Sequence, residues 1–279
     1  MAIELELRPL LEYGLQESVD LLNLGFSDYF VHIELSLPVF LNMTRVDGLD
    51  LGSSRIIYLE DEAVGIALIA RRGWTSRLAA MSLSPASRGR GAGRAAMDLL
   101  LIEASARRDR SMVLEVIESN TPAVRLYQAC GFKIERHLTG FQGNSPQLIK
   151  AASLEEVDIR EVARRVTMYG MENLPWQISG ESLSQAGSPG KAYRLEDADI
   201  VISNPDAEQV AIRSVIVHPA ARRQGQATRL IQAVFAEFPD KIWTIPAICP
   251  DEIGSLFEKV GFRRDTLSQF QMRKEIHMQ

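Results

Sequence analysis

Cysteine and histidine are scarce in this sequence of 279 residues. The two cysteines, Cys130 and Cys249, show no repeated spacing, which excludes a disulfide framework and a cysteine-based metal motif. The histidines are scattered along the chain and give no metal-ligand spacing. They are His32, His137, His218 and His277. We therefore expect no metal site.

Long apolar runs and an excess of basic residues are also missing. No run approaches the roughly 18 apolar residues that a membrane helix requires. The start, M-A-I-E-L-E-L, alternates and is acidic, unlike a signal peptide. The 31 basic residues do not outnumber the 36 acidic ones, and the net charge is −5. These absences predict a cytoplasmic protein that binds neither membrane nor nucleic acid.

Length and composition are ordinary for a soluble globular protein, with 46% hydrophobic and 24% charged residues. The length is typical of about two domains. The order of apolar strand-like and helix-like segments in the first half recurs, with low identity, in the second. We predict an α/β (α+β) fold with a domain at residues 1–145 and another at 146–279. In the second half we expect a strand at 147–151, a helix at 154–165 and a loop at 180–190.

Two turns rich in arginine, one of them also in glycine, stand out. Residues 84–94 read S-P-A-S-R-G-R-G-A-G-R, and a weaker copy at 218–228 reads H-P-A-A-R-R-Q-G-Q-A-T. Each turn follows an apolar strand-like run and precedes an apolar-periodic helix. Glycine lets a backbone approach closely, amide N–H groups converge at a helix start, and arginine adds positive charge. Both turns therefore fit a pyrophosphate.

Three nucleotide-binding patterns compete for the first turn. The P-loop pattern G-x-x-x-x-G-K-[ST] does not occur. The dinucleotide pattern G-x-G-x-x-G/A is met by Gly91, Gly93 and Ala96, and Glu115 or Glu118 follows near the expected offset. Several strands precede this turn, however, whereas a dinucleotide fold usually begins with it. A nicotinamide oxidoreductase stays open as a remote alternative.

The third pattern covers more of the chain. Residues 88–93 and 222–227 fit R-x-x-G-x-G/A, and residues 114–132, L-E-V-I-E-S-N-T-P-A-V-R-L-Y-Q-A-C-G-F, fit L-x-V-x-x-x-N-x-x-A-x-x-L-Y-x-x-x-G-F. Both patterns are signatures of the GNAT acetyltransferase superfamily, and the chain resembles a tandem member of it. The resemblance implies two GNAT-like domains, each a mixed, mostly antiparallel sheet flanked by helices.

The resemblance also implies acetyl-CoA as cofactor and assigns residues to it. The first turn would hold the pyrophosphate, the strand before it would pair through its backbone with the pantetheine arm, and an asparagine would bind the cofactor, bridge a water or cap a helix. The implied cofactor-binding residues are Met81, Ser82, Leu83, Arg88, Gly89, Arg90, Gly91, Ala92, Gly93, Arg94 and Asn120.

Transfer of an acetyl group to an amine needs a proton donor for the leaving thiolate and a neutral amine. Tyr127 holds the position that the resemblance assigns to the donor, with core packing as the alternative. The base is not evident: Glu118 lies nearer the expected cofactor than Glu115, and a water relay or an amine that arrives neutral would replace both. Residues that would line the acceptor site are Tyr29, Phe30 and His32, although each also suits the core.

The second half departs from the pattern. Phe257 replaces the tyrosine, and two prolines, Pro246 and Pro250, disturb the junction between the preceding strand and its helix. We expect this half to be degenerate, with a structural or substrate-shaping role. It retains the elements of a possible second CoA site, formed by Val215, Ile216, Val217, Arg222, Arg223, Gln224, Gly225, Gln226 and Ala227.

The sequence thus predicts an acyltransferase that moves an acetyl group from acetyl-CoA to an amine of a small molecule or peptide by direct transfer. Two alternatives stay open: a non-catalytic CoA-binding or interaction protein, and catalysis in the C-terminal half. No motif identifies the acceptor. Two fused halves can imitate a dimer, so both a monomer and a homodimer are compatible with the sequence.

Overall fold

The computed structural model describes residues 4–29, 31, 34–144 and 153–276. The chain forms two compact units. Unit 1 consists of Met1–Glu135 and Gln271–Gln279, and unit 2 consists of Arg136–Phe270. Among the described residues, none of the helices has the length and apolar character needed to cross a bilayer.

Unit 1 is built on a sheet in the order β1-β2-β3-β4-β5. The first four strands are antiparallel neighbours, and β4 and β5 run parallel. In chain order its elements are β1 (Leu5–Pro9), α1 (Leu15–Phe26), α2 (Leu37–Asp47), β2 (Arg55–Leu59), β3 (Glu62–Arg72), β4 (Thr75–Leu83), α3 (Ala92–Ala106), β5 (Ser111–Ile117) and α4 (Thr121–Ala129). The helices cover a core that includes Ile66, Leu68, Met97 and Leu100.

Unit 2 repeats this plan. Strands β7 to β10 are antiparallel neighbours, β10 and β11 run parallel, and β6 pairs antiparallel with β11. The elements are β6 (Lys133–Asn144), β7 (Glu155–Val157), α5 (Ile159–Tyr169), α6 (Gly180–Ser184), β8 (Lys191–Leu195), β9 (Ala198–Ile202), β10 (Gln209–Val217), α7 (Gln226–Glu237), β11 (Ile242–Pro250), α8 (Gly254–Lys259) and β12 (Arg263–Glu275). Trp243 and Phe235 pack at the centre of its core.

The compact units do not coincide with the two halves of the sequence. Strand β6 belongs to unit 2 from Arg136 onward, because it pairs with β11. The end of β12 belongs to unit 1, where it neighbours β5. There the Ile276 N–H donates to the Arg110 carbonyl at 2.8 Å, and Arg273 Nη1 donates to Ser111 Oγ at 2.9 Å. The predicted division at 145/146 follows the repeated sequence pattern instead.

The start of the second half differs from the sequence-based prediction. The strand expected at 147–151 lies outside the described residues. The helix expected from 154 is wrong there: residues 155–157 form β7, and α5 begins at Ile159, because the Asp158 carboxylate accepts the Arg160 N–H at 2.8 Å and caps the helix. The predicted loop contains the short helix α6. Strand β11 continues through both prolines, with a register shift between Ile245 and Cys249.

Candidate functional site

Strands β4 and β5 separate after a short paired stretch. Their parallel register comprises three pairs, which end at Arg77 and Val113. Beyond it, β4 remains paired with β3, where Met81, Ser82 and Leu83 lie opposite Ala67, Ile66 and Gly65. Within the described residues, no ladder joins the rest of β4 to β5. One backbone edge of the predicted pantetheine-binding residues therefore faces the gap between the strands.

The turn after β4 presents a set of backbone amides. A 3-10 turn at Pro85–Ser87 leads into Gly89 and Gly91, which have φ angles of 73° and 89°. These angles lie in the left-handed region that glycine tolerates best. The first hydrogen bonds of α3 run from the N–H groups of Arg94 and Ala95 to the Gly91 carbonyl. The amides of residues 89–93 precede those bonds and converge at the helix start, where an anion is favoured.

The Arg88 side chain has a structural role that the sequence pattern did not reveal. Its guanidinium donates to the Leu83 carbonyl at 3.0 Å, to the Gly25 carbonyl at 2.7 Å and to the Asp28 carboxylate at 2.8 Å. The backbone N–H of Arg88 donates to the Pro85 carbonyl at 3.4 Å. Arg88 therefore ties the end of β4 to the end of α1 and fixes the turn between them.

The other two arginines of the turn differ from each other. Arg94 is held by Asp98 at 2.9 Å and by the Ala129 carbonyl at 2.9 Å, so it joins α3 to the end of α4. Its pairing with Asp98 raises the pKa of Arg94. Arg90 is exposed and makes no hydrogen bond or ion pair with the described part of the chain. Of the three, Arg90 is the cation available to a ligand.

Helix α4 places Tyr127 and Asn120 beside the turn. Asn120 caps the helix by accepting the Ala123 N–H at 3.3 Å. Tyr127 is 8% exposed, and its ring packs edge-on against Phe132 at 5.9 Å between centroids. Burial, with smaller contributions from Tyr29 and Cys130, raises the pKa of the Tyr127 hydroxyl. The hydroxyl therefore keeps its proton at neutral pH.

The two candidate bases occupy different surroundings. The buried Glu115 side chain accepts from Arg77 Nε at 2.8 Å, and Arg77 also lies 3.6 Å from Asp47. Since Arg77 is the last residue of β4 paired with β5, this ion pair holds the two strands together where they begin to separate. Glu118 is exposed at the carboxyl end of β5. The structure therefore places Glu115 in an ion pair and Glu118 toward solvent.

Helix α1 approaches β4 closely on the predicted acceptor side. A Cβ at Gly25 would lie 2.3 Å from Ser82 Oγ, so glycine is required at this contact. The segment after α1 is fixed by Asn23, whose side chain bonds both the N–H and the carbonyl of Leu35. Tyr29 follows α1 and packs against Phe26 at 5.0 Å between ring centroids. Phe30 and His32 lie outside the described residues.

No sequence pattern identifies Gly25, Asn23 or Arg77 as part of the site, since each acts through a residue that is distant along the chain. Only the helical spacing of 15–26 places Asn23 and Gly25 near one end of α1.

Unit 2 reproduces the geometry around its own turn. Strands β10 and β11 share three parallel pairs ending at Ala211 and Thr244, then separate. Gly225 has a φ of 77° and begins α7. Arg222 donates to the Val217 carbonyl at 3.1 Å and to the Tyr169 carbonyl. These bonds tie the end of β10 to the end of α5, as Arg88 ties β4 to α1.

The second turn also differs from the first. Arg223, with a φ of 62°, occupies the place of Gly89 in the left-handed region. Ala227 and Thr228 stand where the first turn has Gly93 and Arg94. The turn therefore keeps the backbone path and loses two glycines and the arginine that joins α3 to α4.

A cavity of about 680 Å³ opens between the separated strands of unit 2, a size typical of small-molecule sites. Its walls come from α5 and the segment that follows, the second half of β10, the turn and start of α7, the end of β11, and α8. It includes eight of the nine residues of the predicted second CoA site: Val215, Ile216, Val217, Arg222, Arg223, Gly225, Gln226 and Ala227. Gln224 instead donates to the Ala220 carbonyl at 3.1 Å.

Phe257 takes the place of the tyrosine in unit 2. Its ring is 3% exposed and packs against Phe141 and Phe262, with centroids 5.6 and 5.9 Å apart. A phenyl ring has no proton to donate, so this half lacks the hydroxyl that Tyr127 supplies in unit 1. Among the described residues, no group of three or more His, Cys, Asp or Glu side chains is arranged to hold a metal ion.

Comparison with protein-family models shows which family the chain belongs to. The model of the acetyltransferase (GNAT) family matches residues 22–132 and 195–262, more than half of the sequence. The chain belongs to the GNAT acetyltransferase family. The two matched regions correspond to the two turns and their flanking elements, so this GNAT chain is a tandem one.

Solved structures show the same fold at low identity. A tandem GNAT protein from the clavulanic acid biosynthesis pathway is 14% identical over 99% of both chains, with a TM-score of 0.65. A GCN5-related N-acetyltransferase from Sphaerobacter thermophilus is 17% identical over 98% of this chain and 95% of its own, with a TM-score of 0.69. No curated protein sequence matches this GNAT chain.

Proposed function

We propose that this chain is an acetyl-CoA-dependent N-acetyltransferase whose N-terminal half, residues 1–145, carries out catalysis on an amine of a small molecule or peptide. One observation carries the proposal: the open edge of β4, the amides of residues 89–93 and Tyr127 belong to elements that meet at the carboxyl ends of β4 and β5. A Cβ at Gly93 would lie 3.3 Å from Leu126 Cδ2, so the start of α3 is directly beside α4.

The residues present fit acetyl-CoA. The amides of residues 89–93 and the start of α3 would hold its pyrophosphate, and Arg90 adds a free positive charge. The exposed backbone edge at Met81, Ser82 and Leu83 would pair with the amide groups of the arm. When bound, the cofactor supplies an activated acetyl thioester. The remaining chemistry belongs to side chains of this chain.

Tyr127 donates a proton from its hydroxyl to the leaving sulfur. Its raised pKa keeps that proton in place across the neutral range. Asn120 orients the start of α4 through its cap and leaves its side-chain amide for a ligand or water. Glu118, exposed beside the gap, is the base that receives the amine proton directly or through water. Glu115 is excluded from that role by its pairing with Arg77 and acts as a positioning residue.

Removal of the Tyr127 hydroxyl tests the proposal. In an amine library screened for release of the CoA thiol, Tyr127→Phe is expected to lower kcat about 100-fold with little change in the KM for acetyl-CoA, because a general acid acts in the transition state. In the wild type, kcat is expected to show no descending limb below about pH 10, the ordinary pKa of a tyrosine.

Tyr193→Phe is the matched control, since Tyr193 is also buried but lies in unit 2. It is expected to retain the wild-type rate. Equal rates for Tyr127→Phe and the wild type, at full cofactor occupancy, would show that Tyr127 is not the acid.

The cavity in unit 2 favours a second candidate, in which the C-terminal half binds CoA. Phe257 argues against catalysis there. Acetyl-CoA binding that is accompanied by no turnover of any amine would support the non-catalytic role for the whole chain.

A further inference from the structure

The cavity of unit 2 is lined by several positively charged side chains. Arg213, Arg223 and Lys259 line it, and none of them makes an ion pair or hydrogen bond with the described residues. Among the described residues that line it, the one carboxylate is that of Glu252, which Arg136 already holds at 2.8 Å. Three unpaired cations without a free counter-charge favour an anionic ligand.

The cations lie at separate places. Arg223 is in the turn before α7, whereas Arg213 is in β10, four residues before the strand ends at Val217. Four strand residues span about 13 Å. Arg213 therefore lies well along β10 from the turn, and an elongated ligand with negative charge at both ends would meet both cations. The lining also includes apolar side chains, among them Val215, Ile248 and Leu256.

Arg213 occupies a special position in its strand. The register between β10 and β9 shifts between Ile212 and Ser214, which makes Arg213 the bulged residue. A bulge re-aims the side chain that it contains. Unit 1 has the equivalent shift in β4, between Leu78 and Ala80, and its bulged residue is Ala79. Both residues stand two positions after the last parallel pair of their strand.

We propose that the cavity of unit 2 binds an acyl-CoA whose acyl group ends in a carboxylate, and that Arg213 pairs with that carboxylate. The inference rests on the proposed function, because it assigns the phosphates to the turn around Arg223 by analogy with the first turn. Ala79 leaves the corresponding place in unit 1 small and neutral, which suits an acetyl group. The two halves of the chain then differ in the acyl group that each accepts.

Calorimetry on the full chain tests this inference with succinyl-CoA and butyryl-CoA, whose acyl groups have the same number of carbons. Succinyl-CoA is expected to bind one site at least about 10-fold more tightly, since a charge-assisted pair favours it. Arg213→Ala is expected to weaken succinyl-CoA about 10-fold or more and to change butyryl-CoA less than about 2-fold. Arg263→Ala, which alters an exposed arginine of unit 2 outside the cavity, is the control.

Arg213→Gln, which retains length and polarity, gives the same test if the alanine variant does not fold. Equal binding of both thioesters by the wild type, or no binding attributable to unit 2, overturns the inference.

Acetyl transfer measured alongside separates the two proposals. Tyr127-dependent transfer with no preference for succinyl-CoA leaves the proposed function standing and removes this inference. A preference for succinyl-CoA that depends on Arg213, without any acetyl transfer, supports this inference and removes the proposed function.

Discussion

Arginine serves two purposes within one short turn of this protein. The guanidinium of Arg88 donates its hydrogen bonds within the protein, where it joins the end of β4 to the end of α1. Arg90, two residues later, has no such partner in the described chain. Arg222 repeats the bonds of Arg88 to the ends of the strand and the helix. The first arginine of each turn thus stabilises the local structure, and charge for a ligand comes from its neighbours.

Substitution of these two arginines should separate the roles. Arg88→Ala is expected to lower the free energy of unfolding by about 1–2 kcal/mol, a value limited by the 40% exposure of its side chain. Arg90→Ala is expected to change stability by less than about 0.5 kcal/mol and to weaken acetyl-CoA binding about 10-fold. Denaturant unfolding and calorimetry measure the two quantities. The assignment fails if Arg90→Ala proves the more destabilising change.

At the level of residues, the sequence predicted the backbone better than the side chains. The R-x-x-G-x-G pattern requires Gly91, which has a φ of 89°, since only the local chain determines that requirement; Gly89, which also has a positive φ, occupies a variable position of the pattern. The partners of Arg88 are Gly25 and Asp28, about 60 residues away, and the pairing of Arg77 with Glu115 crosses two strands. Such contacts depend on the folded register, which a local pattern does not contain.

The turn is the element in which the two halves diverge. Both turns follow one backbone path, but Arg223 adopts the left-handed conformation that Gly89 adopts in unit 1. A non-glycine residue in this region costs roughly 1–2 kcal/mol. The second turn therefore retains its shape despite its sequence, because the Arg222 bonds and the Gly225 start of α7 impose it.

Relief of that strain is measurable. Arg223→Gly is expected to raise the free energy of unfolding of unit 2 by about 0.5–1 kcal/mol, since the strain removed exceeds the entropy that glycine loses on folding. Arg90→Gly, at a neighbouring position of the first turn without a positive φ, is the contrasting change and should be neutral or destabilising. A loss of stability in Arg223→Gly would mean that the arginine side chain contributes more than its backbone costs.

Among the elements, the apolar spacing predicted helix α1 correctly, whereas the sequence did not reveal which strands pair with each other. Helix α1 begins and ends where the apolar spacing predicts, at Leu15–Phe26. The segment 155–157 was wrongly predicted as helix because Leu154 and Val157 are three residues apart, a spacing typical of a helix, whereas β8 offers the segment a strand partner. Strands β6 and β12 were not predicted at all, since each is polar on one face and its partners come from distant parts of the sequence.

For the whole molecule, the decisive feature is the membership of the last strand. Residues 271–275 of β12 complete the sheet of unit 1, and Met272 within them is fully buried. A chain that ends at Phe270 would leave the edge of β5 uncovered, which exposes unpaired backbone groups and apolar surface. The stability of unit 1 therefore depends on residues that follow the entire second half.

Truncation tests this dependence. A chain ending at Phe270 is expected to lose hydrogen-exchange protection in β5 and to aggregate more readily, while the amides of β9 and β10 stay protected. A chain ending at Ile276, which retains β12 in full, is the control and is expected to match the intact protein. Equal protection of β5 in both chains would show that unit 1 is complete without residues 271–275 of β12.

The same feature sets an order of events during synthesis. A domain that folds from consecutive residues can close while the ribosome is still working on the next one. Unit 1 must instead wait until translation has passed through all of unit 2, which at 5–20 residues per second takes on the order of ten seconds. During that interval its open edge is available to chaperones and to other nascent chains. Unit 2 can therefore close first, and unit 1 reaches its native state only after residues 271–279 have been made.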